Sequence, residues 1–130
     1  MEKNEIIEYW VKLSKEDYSA MVNLFKSGNY SWSLFIGHLV VEKLLKAYYV
    51  KNCDINPPHT HNLTQIAEKA KLRLTEKQKD FFDLLNTFNI LARYPDYKLD
   101  FYKKCTREYA TKQINEIEEL RLWLLKQIEK

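Results

Sequence analysis

The sequence predicts an all-α protein, an antiparallel helical bundle of about five helices built on a four-helix up-and-down core. Apolar residues recur at every third or fourth position through most of the chain, which is the period of an amphipathic helix. Only two glycines and three prolines occur in 130 residues, too few for a β-sandwich or barrel that turns repeatedly. A hydrophobic content of 45% supplies a packed core. Because this length fits one core of ordinary size, we expect residues 1–130 to form a single domain.

The first helix is predicted from about Asn4 to Ser27. Its apolar stripe has helical spacing and consists of Ile6, Trp10, Leu13, Ala20 and Leu24. Gly28 follows at the position where a helix often ends in a left-handed conformation. Asp17 falls inside the stripe. Because a buried carboxylate needs a partner, we expect Asp17 to pair with a lysine or to lie at the edge of the stripe.

The second helix is predicted to follow a capping Ser31 and to run to about Lys51. The stretch from Trp32 to Val50 is apolar on most sides, as in a helix at the centre of a bundle. We expect it to be the most buried element. Since the chain is short, we also expect part of this apolar surface to meet a second copy in a homodimer.

A narrow polar line interrupts the second helix. His38, Glu42 and Lys46 are spaced by four residues and therefore share one face. Glu42 precedes Lys46 in the order that favours an ion pair. We interpret the line as solvated or structurally paired, and the alternative is that it lines a cleft between two copies.

The middle of the chain begins with an extended connection. The paired prolines in Asn52–His61 exclude a helix there. A short third helix follows, with Asn62 as its cap and Gln65 three residues later. Thr75 and Gln78 repeat this capping-box pattern before a fourth helix.

The end of the fourth helix is predicted from a proline. Pro95 stops this helix near Arg93, and the segment from Tyr94 to Cys105 is predicted to be a loop. Thr106 then caps a last, amphipathic helix.

Composition and charge exclude several classes of protein. No run approaches the roughly 18 apolar residues of a membrane helix, and the acidic, amphipathic start does not resemble a secretory signal. We therefore expect a cytoplasmic protein that does not contact the membrane. The net charge of +3 is too small to indicate nucleic-acid binding by itself.

Cysteines and histidines give little sign of a metal or a nucleophile. Cys53 and Cys105 do not make a disulfide framework, so we expect free thiols. His59 and His61 stand near Cys53, but no second cluster has ligand spacing. Neither cysteine has a local activating neighbour, and no glycine-rich phosphate loop occurs. We predict no metal site and no cofactor.

The informative stretch lies at the end of the fourth helix. Asn86, Asn89 and Arg93 are spaced by three and four residues and share the face opposite the apolar stripe. Two amides and a guanidinium on one face can hold a phosphate or a base edge. Basic residues interleaved with rings follow, namely Lys98, Lys103, Lys104 and Arg107 among Tyr94, Tyr97, Phe101 and Tyr102.

Positive charge next to stackable rings suits a nucleotide or single-stranded RNA. The predicted ligand-binding residues are Arg93, Asn86, Asn89, Tyr94, Tyr97 and Lys98, with Tyr94 or Tyr97 stacking on the base. The alternative is a solvated helix end whose lysines cover apolar surface. The residues alone do not decide between these two interpretations.

Three segments together resemble a known family. The run from Ile36 to Ala47 (IGHLVVEKLLKA), the entry Pro58 to Leu63 and the closing Ala92 to Pro95 (ARYP) are similar to the HEPN domain, named for higher eukaryotes and prokaryotes nucleotide-binding. The resemblance implies an antiparallel helical bundle that forms a homodimer. It also implies a prokaryotic setting beside a minimal nucleotidyltransferase, as in toxin–antitoxin pairs.

Catalytic members of that family are metal-independent endoribonucleases with an arginine followed, after four to six residues, by a histidine. Arg93 matches the arginine, but Lys98, Leu99 and Asp100 occupy the positions for the histidine, and no histidine follows His61. No other side chain here exchanges protons as readily near neutral pH. The resemblance therefore implies a protein that binds a nucleotide or RNA and is non-catalytic or weakly catalytic.

Two alternatives remain open at this point. One is a ribonuclease toxin with an atypical motif built from Arg93, Tyr97 and a histidine from elsewhere, His38 or His61. The other is a plain dimerisation module without a small-molecule ligand. Cleavage of RNA without metal distinguishes the first, and ligand binding that needs Arg93 distinguishes the proposed binding protein from the second.

Overall fold

The computed structural model describes residues 2–130, and within this range the chain forms six α-helices and no strand. The helices are α1 (Lys3–Lys26), α2 (Tyr30–Asn52), α3 (Leu63–Lys69), α4 (Glu76–Leu91), α5 (Pro95–Lys104) and α6 (Arg107–Glu129). The all-helical prediction is confirmed, but the count of about five helices is one too low. None of the helices in the described range is long and apolar enough to cross a membrane.

The additional helix is α5, which occupies the segment from Tyr94 to Cys105 where the sequence predicted a loop. Pro95 stands at the first helical position of α5, where its missing N–H would have no partner in any case. Proline therefore begins this helix as well as preventing α4 from continuing. Phe101 packs α5 against the core, since it is buried and its ring centroid lies 5.4 Å from that of Phe88 on α4.

Helix α2 is the centre of the fold and contacts all five other helices. Leu34, Leu44 and Leu45 on α2 are at most 1% exposed. The prediction that this helix is the most buried element is confirmed. Most of the apolar surface of α2 is covered within the chain, although Trp32 is 38% exposed. The homodimer therefore stays a prediction.

Helix α1 lies antiparallel to α2, and two buried serines join them. The Ser14 hydroxyl donates to the carbonyl of Val40 at 2.9 Å, and the Ser33 hydroxyl donates to the carbonyl of Met21 at 2.8 Å. Serine hydroxyls satisfied in this way cost little to bury.

Helix α6 runs in the same direction as α2. Gly37 on α2 lies against Ile117 on α6, and the Lys51 ammonium near the end of α2 donates to the carbonyl of Ile128. A Cβ atom at Gly37 would lie 2.6 Å from Ile117 Cδ1. Glycine at this position therefore permits the close approach of the two helices.

The predicted caps are largely present. The Asn62, Thr75 and Thr106 side chains each accept a hydrogen bond from a backbone N–H three residues later, and Gln78 completes the capping box. Asp17 is paired as expected, with Lys43 of α2. These caps depend on residues that lie close together in the chain, so they can be predicted from the sequence alone.

The start of α2 differs from the prediction. Gly28 has a φ of +79° and ends α1, with the N–H of Asn29 donating to the carbonyl of Leu24 at 2.8 Å. Ser27, Gly28 and Asn29 separate the two helices, so α2 begins at Tyr30, before Ser31, and the predicted cap at Ser31 was wrong. No side chain caps the N-terminus of α2.

Candidate functional site

The polar line on α2 forms an internally paired group, here named the polar cluster, of His38, Glu42, Lys46 and His61. Glu42 accepts hydrogen bonds from the Lys46 ammonium at 3.0 Å and from His61 Nδ1 at 2.9 Å. His38 Nε2 donates to the backbone carbonyl of His61 at 2.8 Å. The three α2 members of the cluster are buried. The line is therefore structurally paired rather than solvated, and it fixes the end of the 53–62 connection to α2.

His38 is the most enclosed member of the polar cluster, with no exposed surface. Burial lowers its pKa, and the opposing attraction of Glu42, whose carboxylate lies 3.9 Å from His38 Nδ1, is smaller. His38 Nδ1 has no hydrogen-bond partner among the described residues. The ring is therefore held as a neutral donor to the His61 carbonyl.

The two predicted asparagines do not join Arg93 at a common surface. The Asn86 amide accepts from the backbone N–H of Leu63 at 2.9 Å and donates to the Asn62 side chain at 3.2 Å, so it stabilises the start of α3. Asn89 is buried, and its backbone carbonyl accepts from Arg93 Nε at 2.8 Å. Neither amide therefore lies with the guanidinium, since Asn86 contacts the start of α3 and Asn89 is buried.

Arg93 and Lys98 instead line a groove of about 610 Å³ between the start of α2 and helix α5. We name it the basic groove, and its walls are Asn29, Ser31, Trp32, Arg93, Pro95, Lys98, Leu99 and Tyr102. Its volume lies within the range of small-molecule sites, about 300–1,000 Å³. The uncapped N-terminus of α2 adds the positive end of a helix dipole at one side.

The cations of the basic groove face aromatic rings. The Arg93 guanidinium carbon lies 5.7 Å from the ring centroid of Phe35 and 5.5 Å from that of Tyr94. The Lys98 ammonium lies 5.1 Å from the ring centroid of Trp32. Neither cation forms an ion pair with a carboxylate in residues 2–130. Both side chains can therefore approach an anion without breaking an ion pair.

The aromatic residues of the groove are only in part those that the sequence singled out. Tyr94 contacts Arg93, but Tyr97 is exposed outside the groove, and Phe101 belongs to the core. Tyr102, which is among the interleaved rings that the sequence singled out, lines the groove, and so does Trp32, which is not among them. Trp32 was assigned to the core because it begins an apolar run. Its signal was its place in the first turn of α2, four residues after the helix-ending Gly28.

A second groove, of about 260 Å³, lies between α4 and α6. Phe81, Leu120 and Trp123 form its apolar part, and Glu116 and Glu119 stand among its walls. Lys77 is the one cation among these walls, so two carboxylates outnumber it and the groove suits a phosphate less well than the basic groove does.

Metal and thiol chemistry find no support in the described range. Residues 2–130 contain no group of three or more His, Cys, Asp or Glu side chains placed to hold a metal ion. Cys53 is exposed and Cys105 is buried, and they do not pair. Burial raises the pKa of the Cys105 thiol to about 11, so this group stays protonated near neutral pH.

The HEPN domain model matches residues 7–128, from the first turns of α1 to the last turn of α6. The chain belongs to the HEPN domain family. The matched range contains both the polar cluster and the basic groove. Comparison with curated proteins and with solved structures gave no match.

Proposed function

We propose that this HEPN domain binds RNA or a nucleotide by its phosphate in the basic groove and does not cleave it. The observation that carries the proposal is the pair Arg93 and Lys98, two cations without a carboxylate partner that share one groove with aromatic rings. HEPN domains are linked to RNA binding and to ribonuclease and toxin roles, which agrees with this chemistry.

Arg93 is the residue best suited to hold the phosphate. Its Nε donates to the Asn89 carbonyl, which orients the guanidinium and leaves the two outer nitrogens to donate to phosphate oxygens. The uncapped start of α2 adds backbone N–H groups on the opposite side. Lys98 supplies a second, more mobile charge.

The absence of a histidine from the basic groove supports binding without cleavage. Lys98, Leu99 and Asp100 stand where ribonucleases of this family carry the histidine. His38 is buried and donates to the His61 carbonyl, while His61 donates to Glu42. Within one chain neither histidine lines the groove, which supports binding over the atypical ribonuclease built on either one.

We further propose that the protein is a cytoplasmic homodimer that acts with a small nucleotidyltransferase, as in a prokaryotic toxin–antitoxin pair. This part rests on the family resemblance, since HEPN domains commonly dimerise. Light scattering at micromolar concentrations should give twice the chain mass of 15.7 kDa. A mass of 15.7 kDa throughout would contradict the dimer.

The test of the proposed function compares two arginine variants. Arg93→Ala removes the groove cation, and Arg73→Ala removes an exposed arginine outside the groove as a matched control. Loss of a charged hydrogen bond of about 1.5–3 kcal/mol should weaken binding of a short single-stranded RNA roughly tenfold or more in Arg93→Ala. Arg73→Ala should bind nearly as the unmodified protein does.

The same samples also test for cleavage. RNA incubated with the protein and a chelator at neutral pH should remain intact on a gel. Equal binding by Arg93→Ala and the unmodified protein would remove the proposed site. Cleavage by the unmodified protein that disappears in Arg93→Ala would establish the ribonuclease alternative instead.

A further inference from the structure

We infer that Trp32 is the platform on which the base of the ligand stacks, so that the basic groove selects nucleotides whose base is unpaired and accessible. This inference rests on the proposed function, because it names a second recognition element at the same groove. It differs from phosphate binding alone, since a site that holds only phosphate treats a nucleotide and a base-free sugar phosphate alike.

The first step is the orientation of Trp32. Its ring centroid lies 5.7 Å from that of Phe35, and the two ring planes meet at 86°. Edge-to-face contact of this kind fixes the indole plane. Phe35 in turn lies 5.7 Å from the Arg93 guanidinium carbon. The half-buried ring of Phe35 therefore contacts both the Arg93 guanidinium and the Trp32 indole. It holds the proposed phosphate-binding group and the proposed platform in a fixed arrangement.

The second step is the exposed surface of the indole. Trp32 is 38% exposed although it stands on the most buried helix. The Lys98 ammonium lies over its ring, and Tyr102, one helical turn after Lys98 on α5, is 66% exposed and stands in the same groove. A base can displace the Lys98 side chain from the indole, because lysine is flexible and readily solvated.

The third step is what a nucleotide does in this groove. A base stacked on the indole replaces the Lys98 ammonium, which then approaches the phosphate held by Arg93. Base stacking on an aromatic ring tolerates any of the four bases, since every base has a π-face. A base inside a duplex is already stacked and paired and does not reach the indole. The ligand class is therefore single-stranded RNA or a free nucleotide.

The experiment titrates three probes, adenosine monophosphate, ribose 5-phosphate and inorganic phosphate, against the unmodified protein and two tryptophan variants. Trp32→Leu removes the platform, and Trp123→Leu removes a partly buried tryptophan that lines the other groove. Adenosine monophosphate should bind the unmodified protein roughly tenfold more tightly than ribose 5-phosphate does, and it should quench tryptophan fluorescence. Trp32→Leu should reduce this preference to less than about twofold, because it weakens the binding of adenosine monophosphate more than that of ribose 5-phosphate. Trp123→Leu should keep both the preference and the quenching.

Trp32→Phe is the control for a folding defect in Trp32→Leu, because it keeps an aromatic ring at this position. A folded Trp32→Phe variant should retain part of the preference for adenosine monophosphate. Equal binding of all three probes, each lost in Arg93→Ala, would overturn the stacking inference and leave the proposed function standing. Failure of every probe and of single-stranded RNA to bind would overturn both.

Discussion

The polar cluster and the basic groove both place charged side chains on helices, but they differ in what those side chains contact. In the cluster, Glu42 accepts hydrogen bonds from Lys46 and His61, and its side chain is 5% exposed. In the groove, Arg93 and Lys98 lie against aromatic rings and have no carboxylate partner in the described residues.

This difference separates a stabilising role from a binding role. Charges that are paired inside a protein are already stabilised by their partners, and removal of one partner leaves the other buried and unpaired. Charges that face only rings and solvent can bind an anion without breaking an existing bond. The comparison indicates a stabilising role for the cluster and supports the proposed ligand binding by the groove, and each prediction below tests one of these two roles.

The largest effect is expected for Glu42→Gln in the polar cluster. The amide has nearly the same shape, but it leaves the buried Lys46 ammonium without a counter-charge. We expect a loss of about 3 kcal/mol in the free energy of unfolding, measured by urea denaturation. Binding of single-stranded RNA by the folded fraction should stay within about twofold of the unmodified protein, because the residue does not line the groove. A variant of full stability that loses RNA binding would reverse the assignment.

The next effect concerns the pH dependence of stability. Burial lowers the pKa of His38 below its ordinary value of 6.5. Above that value the ring is neutral in the folded and unfolded states alike. Below it the unfolded chain takes up the proton first, so stability falls as the pH drops from 6.5 towards the lower pKa of the folded state.

His38→Gln, which keeps a donor for the His61 carbonyl, should lose less stability than the unmodified protein between about pH 7 and about pH 5. Urea denaturation at both pH values measures the difference. Glu42 and His61 face the same ring, so the comparison uses the difference between the two proteins rather than either slope alone. Identical slopes would show that His38 has the same pKa in both states.

A smaller effect is expected from single lysines at the groove. Lys98→Gln should weaken RNA binding by less than about 1 kcal/mol and reduce the salt dependence of the affinity. Lys103→Gln, on the same helix but outside the groove walls, should change the affinity less than Lys98→Gln does. Affinity measured at several salt concentrations checks both variants. A greater loss in Lys103→Gln would move the binding surface away from the groove.

The smallest effect is the stability of Arg93→Ala. Arg93 is exposed and forms no ion pair within the described residues, so the free energy of unfolding should change by no more than about 0.5 kcal/mol. Urea denaturation beside Glu42→Gln gives a direct contrast between the two regions. A loss comparable to that of Glu42→Gln would show that Arg93 is part of the framework.

The sequence predicted those parts of the fold that depend on neighbouring residues. The caps at Asn62, Thr75 and Thr106 and the turn at Gly28 follow local patterns and were confirmed. Helix α5 was missed because a proline both stops and starts helices. Whether the residues after Pro95 form a helix depends here on the packing of Phe101 against Phe88 of α4, a contact that local sequence patterns do not show.

The candidate site was less accessible to sequence reasoning for the same physical reason. Arg93 and Lys98 were singled out, and the structure places both in one groove. Asn86 has the right spacing on α4, yet its amide caps the start of α3, a contact between segments that no helical spacing shows. Trp32 joins the groove only because the start of α2 meets α5 in the folded chain.

The most direct test is a map of ligand-induced chemical shifts in the NMR spectrum of the isotope-labelled protein. Addition of a short single-stranded RNA should shift the backbone amides of the basic groove, at residues 29–32 and 93–102, and the indole N–H of Trp32. The amides of His38, Glu42 and His61 should move little. Shifts centred on the polar cluster, or on the groove between α4 and α6, would contradict the division between a stabilising interior and a binding surface.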